Sequence, residues 1–278
     1  MVKIGTSGYS FPDWRGTVYP QKIRPEELLI FYQESLGFDC VEINSTYYSL
    51  LSEKTVSGME RKAGDGFEFV IKGYRGFTHD PFDSRLGIKK PEIDKALDDA
   101  DKFVYSIQPI KSKLGAVLLQ FPFFFRPSSQ SMDYILRLKE KFLDMPVVAE
   151  FRSRDWAVSE TFSFLKNNKI AYCVVDEPKL FQLMPLINVV TSNLSYLRLH
   201  GRNRNWFNAP VSERYNYLYQ EKELRSFIPE IEKMSGESEK TYVFFNNCHM
   251  GQAVKNAVTL KELMGLIGQK ENGKIRPV

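Results

Sequence analysis

The segment Val147-Val148-Ala149-Glu150-Phe151-Arg152 has the pattern of a strand buried in a parallel sheet. Its first three residues are apolar, and charge appears only toward its carboxyl end. Because side chains alternate across a strand, Val148, Glu150 and Arg152 share one face. The segment therefore predicts a buried strand whose last side chains are available for chemistry.

Seven further segments repeat this apolar pattern between turn residues, and they begin about 34 residues apart on average. Most of the intervening stretches have helical periodicity, and such alternation requires parallel strands joined by right-handed crossovers. We therefore predict an α/β fold, a single (β/α)8 TIM barrel with parallel strands over residues 1–268 and a C-terminal tail over 269–278. The predicted strands are 2–7, 40–44, 67–72, 114–121, 147–152, 171–176, 196–200 and 241–246. The predicted helices are 25–37, 91–107, 128–143, 159–167, 213–234 and 251–267, with 179–193 largely irregular.

An open doubly wound sheet is the alternative fold, but its phosphate-binding motif G-x-G-x-x-G does not occur in the sequence. The 278 residues are enough for two domains or for one large barrel, so length alone does not decide between them. Disorder as the main state is excluded, because 43% hydrophobic residues, including 14% aromatic residues, provide a core.

Cellular location and partners are bounded by simple features of the sequence. No apolar run reaches the roughly 18–20 residues of a membrane span, and the start lacks a secretory signal pattern. Cys40, Cys173 and Cys248 are widely spaced and odd in number, which argues against a disulfide framework and favours the cytoplasm. The net charge of +4 neither demonstrates nor excludes a nucleic-acid partner. No membrane partner is expected.

One face of each predicted strand changes from apolar to polar at the carboxyl end. In the seventh strand, for example, Tyr196 is followed on the same face by Arg198 and His200. If this face points inward, the polar ends meet at one mouth of the barrel, where TIM-barrel enzymes carry their chemistry. Because buried charges are costly unless paired, such a mouth indicates a site more often than a scaffold. The polar ends are Thr6 after Ile4, Glu42 and Asn44 after Cys40, Lys72 after Val70, Gln120 after Leu118, Glu150 and Arg152 after Val148, Asp176 after Val174, Arg198 and His200 after Tyr196, and Asn246 after Phe244.

Short motifs containing these residues follow one another along the chain. They are Gly5-Thr6-Ser7-Gly8-Tyr9 with Trp14-Arg15-Gly16 and Tyr19-Pro20; Val41-Glu42-Ile43-Asn44-Ser45-Thr46-Tyr47-Tyr48; Lys72 with Arg75 and Thr78-His79; Leu119-Gln120-Phe121-Pro122; Glu150-Phe151-Arg152 with Trp156; Asp176-Glu177-Pro178; Arg198-Leu199-His200-Gly201; and Val243-Phe244-Phe245-Asn246-Asn247 with Gly251, Ala253 and Asn256-Ala257. In this order they resemble the YecE-like family, also called domain of unknown function 72. The resemblance extends over residues 4–266.

This resemblance implies a TIM barrel of the kind likened to apurinic endonucleases and to xylose-isomerase-like sugar isomerases, and it implies no settled reaction. The family more often has a histidine near the arginine of the fifth motif. Here Ser153-Arg154-Asp155 precedes Trp156 instead, so no role for that histidine is carried over.

Four side chains at the mouth are candidate catalytic residues. Glu42 and Glu150 are candidates for proton transfer as general acid and base. Lys72 is a candidate cation for an anionic ligand or a Schiff-base amine, with a plain lysine–glutamate ion pair as the alternative. His200 is a candidate proton shuttle near neutral pH, with a structural hydrogen-bonding role as the alternative.

Candidate ligand-binding residues are the remaining polar strand ends and two tryptophans. Arg152 and Arg198 have forked donors suited to carboxylate or phosphate, and Asn246 can donate to an oxyanion. The full set is Thr6, Trp14, Asn44, Gln120, Arg152, Trp156, Asp176, Arg198 and Asn246.

Basic and aromatic residues alternate in the loops that follow the third and seventh strands. Arg75, His79, Arg202, Arg204 and Trp206 are therefore candidate rim residues that hold phosphates and stack a base or a sugar. The alternative is a solvated rim whose aromatic residues only pack the loops.

A metal site finds little support in the sequence. The chain has three histidines and no H-E-x-x-H motif, which argues against a multi-zinc site. Glu150, Asp176 and His200 could hold one magnesium or manganese ion, but nothing in the sequence requires it. No metal and no cofactor are expected.

These features together predict an enzyme that binds a phosphorylated or carboxylated small molecule, sugar-like or nucleotide-like, at the C-terminal mouth of the barrel and uses acid–base chemistry. One alternative is a nucleic-acid-binding protein or phosphodiesterase that uses the arginine-rich rim. Another is a non-catalytic metabolite sensor. The sequence leaves the substrate and the oligomeric state open.

Overall fold

Eight parallel strands form the barrel in the computed structural model, which describes residues 1–86 and 91–267. They are β1 Val2–Thr6, β2 Cys40–Ile43, β3 Glu68–Lys72, β4 Leu114–Phe121, β5 Val147–Phe151, β6 Ala171–Asp176, β7 Leu194–Leu199 and β8 Lys240–Phe245. Neighbouring strands pair in the order β1-β8-β7-β6-β5-β4-β3-β2, and a parallel bridge from Ser7 to Glu42 joins the two end strands. The predicted (β/α)8 barrel is confirmed. The predicted tail 269–278 lies outside the described residues.

Helices cover the outside of the barrel with their apolar faces. They are α1 Leu28–Glu34, α2 Glu53–Lys62, α3 Arg75–Thr78, α4 Ile93–Ile107, α5 Ser129–Lys141, α6 Ser159–Asn167, α7 Val211–Arg214, α8 Glu221–Glu237 and α9 Gln252–Leu263. Short 3₁₀ turns occupy Pro12–Trp14, Pro25–Glu27, Ser45–Tyr47, Asp80–Phe82, Ser84–Leu86, Gln108–Lys113, Arg154–Trp156 and His249–Gly251. Residues 179–193 are largely irregular, as predicted. Among the described helices, none is long and apolar enough to cross a membrane.

Helix α2 is absent from the predicted elements because its apolar periodicity is weak. It buries only Val56 and Met59, so few positions mark its inner face. Its start follows an ordinary rule, since the Ser52 side chain caps the helix by accepting a hydrogen bond from the Thr55 amide.

The predicted helix 213–234 is wrong over residues 215–220, where a turn and irregular chain separate α7 from α8. The Asn256 amide explains the interruption, because its Nδ2 donates to the Tyr219 carbonyl at 2.8 Å and its Oδ1 accepts from the Tyr219 amide at 3.1 Å. These bonds satisfy backbone groups that a helix would otherwise pair. Tyr215, at the start of this irregular segment, lines the cavity at the mouth of the barrel.

The polar face of β2, β3, β4, β5, β7 and β8 points into the barrel as predicted. Contacts across the interior establish this orientation: Arg198 bonds to both Glu42 and Glu150, and Lys72 donates to Gln120. Directly after β8, Asn246 contacts His200, which directly follows β7.

The predicted orientation is wrong in β1. Thr6 points outward and bonds to the Tyr32 hydroxyl on α1, whereas Ser7 faces Arg198 inside the barrel. The cause is Gly5, which occupies an inward position where larger side chains do not fit. A Cβ at this position would lie 2.5 Å from the Cys40 carbonyl oxygen. Without an apolar side chain there, the inward face of β1 has no hydrophobic signal.

The predicted orientation is also wrong in β6. Cys173 lies 3.9 Å from a Glu150 oxygen inside the barrel, so the inward series continues to Glu177 and not to Asp176. Tyr172, on the other face, packs against Phe162 of α6. Both faces of β6 are apolar, and alternation therefore gave no orientation signal.

Candidate functional site

A cavity of about 930 Å³ opens at the carboxyl ends of the strands. Its polar floor consists of five predicted site residues: Asn44, Lys72, Gln120, Arg198 and Asn246. Its aromatic lining consists of Tyr9, Phe11, Tyr47, Tyr48 and Tyr215, and the predicted rim residue His79 also faces it. The size and the mixed lining are typical of a site for a small molecule.

Beneath the floor lies a buried ion network of Glu42, Arg198, Glu150, Arg152 and Glu177. Arg198 donates from Nε and Nη2 to the two oxygens of Glu42, at 2.9 and 2.6 Å. Its Nη1 donates to Glu150 at 2.6 Å. Arg152 continues the chain, with Nε 2.8 Å from Glu150 and Nη1 2.8 Å from Glu177. Carboxylates and guanidinium groups thus alternate across the barrel, as buried charges require.

Both candidate proton-transfer glutamates, Glu42 and Glu150, form ion pairs with arginines. Glu42 also accepts a hydrogen bond from the Tyr196 hydroxyl at 2.6 Å, and its exposed fraction is 0%. Burial alone would raise the pKa of Glu150, but Arg152 and Arg198 outweigh it and hold that pKa well below its usual range. The two glutamates hold the arginines in place, and neither glutamate lines the open cavity.

Of the two cations on the floor, Arg198 is paired with carboxylates, whereas Lys72 contacts neutral groups. Its Nζ donates to Gln120 Oε1 at 2.6 Å and lies 4.6 Å from the centre of the Tyr47 ring. In residues 1–86 and 91–267, no ion pair of Lys72 with a carboxylate is found, so the lysine–glutamate pair considered from the sequence is not what holds it. Burial and the nearby Arg198 cation lower the pKa of Lys72 to about 7.

His200 is a buried neutral side chain that supports the floor. Its Nδ1 accepts from Asn246 Nδ2 at 2.9 Å, so the proton of the neutral ring is on Nε2, which faces Glu150 at 3.3 Å. Burial and the Arg152 cation lower the pKa of His200 to about 3. The environment therefore matches the structural alternative better than a shuttle that titrates near neutral pH.

His79, which lines the cavity, is also neutral at physiological pH. Burial and the Lys72 cation lower its pKa to about 3. Its Nδ1 contacts the Thr78 hydroxyl at 2.9 Å, and its ring packs edge-on against Tyr47. Of the groups around Lys72 in the cavity, His79, Gln120 and Tyr47 are uncharged, and Arg198 is a neighbouring cation.

Three predicted ligand-binding residues, Thr6, Trp14 and Trp156, lie away from the cavity floor and form hydrogen bonds that hold loops or helices in place. Trp14 donates from Nε1 to the Cys248 carbonyl, and Trp156 donates to the Phe125 carbonyl while stacking on Phe151. Both indoles are fully buried. Thr6 is bonded toward α1, as described above.

The rim arginines differ in their surroundings. Arg202 binds Asp176 and Glu223, and Asp176 also accepts from the Tyr219 hydroxyl, so both predicted residues belong to a cluster outside the barrel interior. Arg75 pairs with Asp80 at 2.8 Å.

Of the two remaining rim residues, Arg204 is exposed, whereas Trp206 is buried near His200 and lies within cation–π distance of Arg152. The rim residues are therefore not gathered into one cationic surface.

Comparison with known proteins identifies the family. A profile of the family described as "Protein of unknown function DUF72" matches residues 3–277. The chain belongs to the DUF72 family. The resemblance seen in the sequence motifs is thereby confirmed.

Relatives of this DUF72 chain match it over nearly its whole length. The UPF0759 protein YunF of Bacillus subtilis (strain 168) is 27% identical and covers 96% of this chain and 95% of its own. The crystal structure of a DUF72 family protein from Thermotoga maritima MSB8 is 40% identical, with a TM-score of 0.85 over 95% of this chain and 99% of that one. Another, from Enterococcus faecalis V583, is 24% identical with a TM-score of 0.80 over 100% and 99% of the two chains, and it supports the fold alone.

The donor set considered for a divalent ion does not assemble in this DUF72 chain. Asp176 faces away from Glu150 and is bound by Arg202 and Tyr219, while Glu150 is bound by two arginines. Within residues 1–86 and 91–267, no group of three or more His, Cys, Asp or Glu side chains suited to a metal ion is found.

Seven residues described above in or beneath the cavity were not predicted from the sequence: Ser7, Glu177 and the aromatic lining of Tyr9, Phe11, Tyr47, Tyr48 and Tyr215. Ser7 and Glu177 were hidden by the wrong orientation of β1 and β6, although both occur within the quoted motifs. Tyr47 also lies in a motif, but no charge marks it as a lining residue. Tyr215 was assigned to a helix, and only the amide side chain of Asn256 gives a signal against that helix.

Proposed function

We propose that this protein is an enzyme that binds a carboxylated or phosphorylated small molecule in the barrel cavity and moves a proton on it with Lys72. The observation that carries the proposal is the placement of the Lys72 ammonium among neutral partners, Gln120 and Tyr47, at the floor of an open cavity. A cation in that position lacks a counterion that an anionic ligand supplies.

The charges around Lys72 favour an anion over a cation as the ligand. The two glutamates nearest the floor, Glu42 and Glu150, are balanced by Arg198 and Arg152 and are fully buried. Arg198 itself lines the cavity, and its charge is balanced by these glutamates. Among the lining side chains, Asp13 is acidic and exposed, whereas the charge at the floor is that of Lys72, so a carboxylate or phosphate is expected to pair with Lys72 at the floor.

Neutral groups around the cation fit the remainder of such a ligand. Asn44 lines the cavity, and its Oδ1 has no hydrogen-bond partner among the described residues, so it is suited to accept from a ligand hydroxyl or N–H. The aromatic lining of Tyr9, Phe11, Tyr47, Tyr48 and Tyr215 supplies apolar surface for a carbon skeleton or ring.

Calorimetric titration with lactate and with inorganic phosphate at neutral pH tests the binding. We expect Lys72→Met to lose at least about tenfold in affinity, because the uncompensated cation is gone. Lys139→Met is the matched control, since Lys139 is a partly buried lysine that bonds to a neutral backbone oxygen, that of Asn168, outside the cavity. Equal affinity of Lys72→Met and wild type would contradict the proposal.

Deuterium exchange into the methyl group of pyruvate, followed by NMR, separates an enzyme from a metabolite sensor. We expect the wild-type protein to accelerate this exchange and Lys72→Met not to, because exchange requires a proton-transferring group beside the ligand. Binding without any acceleration would favour the sensor. Salt-dependent DNA or RNA binding that weakens in Arg204→Ala would favour the nucleic-acid alternative.

A further inference from the structure

Lys72 has the surroundings of an amine that reacts with carbonyl compounds. Its Nζ faces the cavity, and its hydrogen-bond partner, Gln120 Oε1, is a neutral acceptor that bonds to an amine as well as to an ammonium. The face of Tyr47 covers one side of the nitrogen. A lysine placed in this way is less strongly held in its charged form than one that bonds to a carboxylate.

A fixed cation beside the lysine acts in the same direction. Arg198 lines the same cavity and is locked between Glu42 and Glu150, so its positive charge cannot move away. Lysines that form Schiff bases are activated by desolvation or by an adjacent cation, and Lys72 has both. The lowering of its pKa to about 7 agrees with this geometry and leaves amine and ammonium both populated near neutral pH.

We propose that Lys72 forms an imine with a carbonyl compound that carries a carboxylate next to the carbonyl, the class of 2-oxo acids. The inference rests on the proposed function, because the same cavity and the same lysine bind the anion. It adds a covalent step and restricts the substrate to molecules with a carbonyl group.

The step balances without any further reagent. The neutral Nζ attacks the carbonyl carbon, and a C–N bond forms while the carbonyl oxygen becomes a hydroxyl group. Loss of that oxygen with the two amine hydrogens releases one water and leaves a C=N bond. Protonation of the imine nitrogen restores a positive charge where the ammonium was, so the adjacent carboxylate of the substrate stays paired.

Borohydride trapping with pyruvate or glyoxylate tests the imine. Hydride reduces the C=N bond to a stable secondary amine, and peptide mass mapping then locates it. We expect labelling at Lys72 to exceed labelling at Lys139 at least tenfold. Lactate, which has the carboxylate but a hydroxyl in place of the carbonyl, should bind in competition and lower the labelling.

Lactate binding and adduct trapping, measured side by side on the wild-type protein, separate this inference from the proposed function. Lys72→Arg, which has no primary amine at residue 72, should give no trapped adduct there. If wild-type Lys72 is labelled no more than Lys139 by either carbonyl compound while lactate still binds, the imine is overturned and the anion site stands. If neither lactate nor phosphate binds to the wild-type protein, the proposed function fails.

Discussion

At the scale of single residues, Lys72 determines how ligand binding depends on pH. The pKa of Lys72 in the free protein is about 7, and a bound carboxylate favours its charged form. Lactate affinity should therefore fall as the pH rises from 7 to 9, approaching about tenfold per pH unit if only the ammonium binds. Calorimetric titrations at several pH values measure this slope. Lys72→Arg should show no such fall, and a flat wild-type profile would refute the assignment.

Arg198 is the residue whose loss should cost the most stability in the buried ion network. Arg198→Met leaves Glu42 and Glu150 without the guanidinium that bonds to both, and we expect a loss of about 3–5 kcal/mol in the free energy of unfolding. Urea denaturation measures it. The control is Arg225→Met, because Arg225 pairs with Glu221 on the exposed face of α8 and such pairs contribute about 0–1 kcal/mol. Similar losses in the two variants would show that the network is not stabilised as described.

Sequence patterns predicted which side chains reach the cavity where one face of a strand was polar and the other apolar. Asn44, Lys72, Gln120, Arg198 and Asn246 were found in this way, and all five line the cavity. Alternation along a strand does not indicate which polar groups neutralise one another, because those contacts join residues far apart in sequence. The pairing of Glu42 with Arg198, 156 positions away, is such a case.

At the scale of elements, close packing of β1 against its neighbours requires a glycine. A Cβ at Gly5 would lie 2.5 Å from the Cys40 backbone oxygen and 3.0 Å from the Phe244 ring. Gly5→Ala should therefore lower the free energy of unfolding by about 1–3 kcal/mol, because backbone cannot move aside easily. Gly236→Ala is the control: nothing lies within 4 Å of its Cβ position in α8, and alanine should stabilise the helix by up to about 1 kcal/mol. Denaturant melts of both variants should move in opposite directions, and a neutral Gly5→Ala would contradict this packing.

Strands and helices were predictable where a local pattern of apolar residues marks them. Strand positions follow from short apolar runs, and seven of the eight strands begin within one residue of the prediction; β7 begins two residues earlier. Helix α2 and the break at residues 215–220 depend instead on side chains that bond to backbone, those of Ser52 and Asn256. A periodicity of apolar residues contains no information about such bonds.

At the scale of the whole molecule, one barrel interior contains two different layers. Nearer the amino ends of the strands than Arg198, Tyr196 and Tyr242 pack in the interior with tilted rings. Above them the ion network of Glu42, Arg198, Glu150, Arg152 and Glu177 forms the support of the cavity floor. The network has three carboxylates and two guanidinium groups, so its net charge depends on whether Glu177 is protonated. The charge at the cavity floor above it depends on Lys72.

The stability of the molecule should therefore depend on pH through Glu177. Burial raises the pKa of this carboxyl to about 7 from 4.5, against the opposing effect of Arg152. Its contribution to folding is fully present below the unfolded pKa of 4.5 and is lost as the pH rises through 7, because the unfolded chain ionises first. The stability advantage of Glu177→Gln over wild type should then grow by about 3 kcal/mol between pH 4.5 and pH 7 and stay constant above that.

Urea denaturation of both proteins at pH 4.5, 6, 7 and 8 measures this difference, and other titrating groups cancel because the two chains share them. Glu223→Gln provides a comparison, since it removes the carboxylate of a partly exposed residue in the outer cluster with Arg202. A stability difference between Glu177→Gln and wild type that shrinks or stays level from pH 4.5 to 7 would mean that Glu177 is ionised in the folded protein. The ion network would then carry one more negative charge at neutral pH.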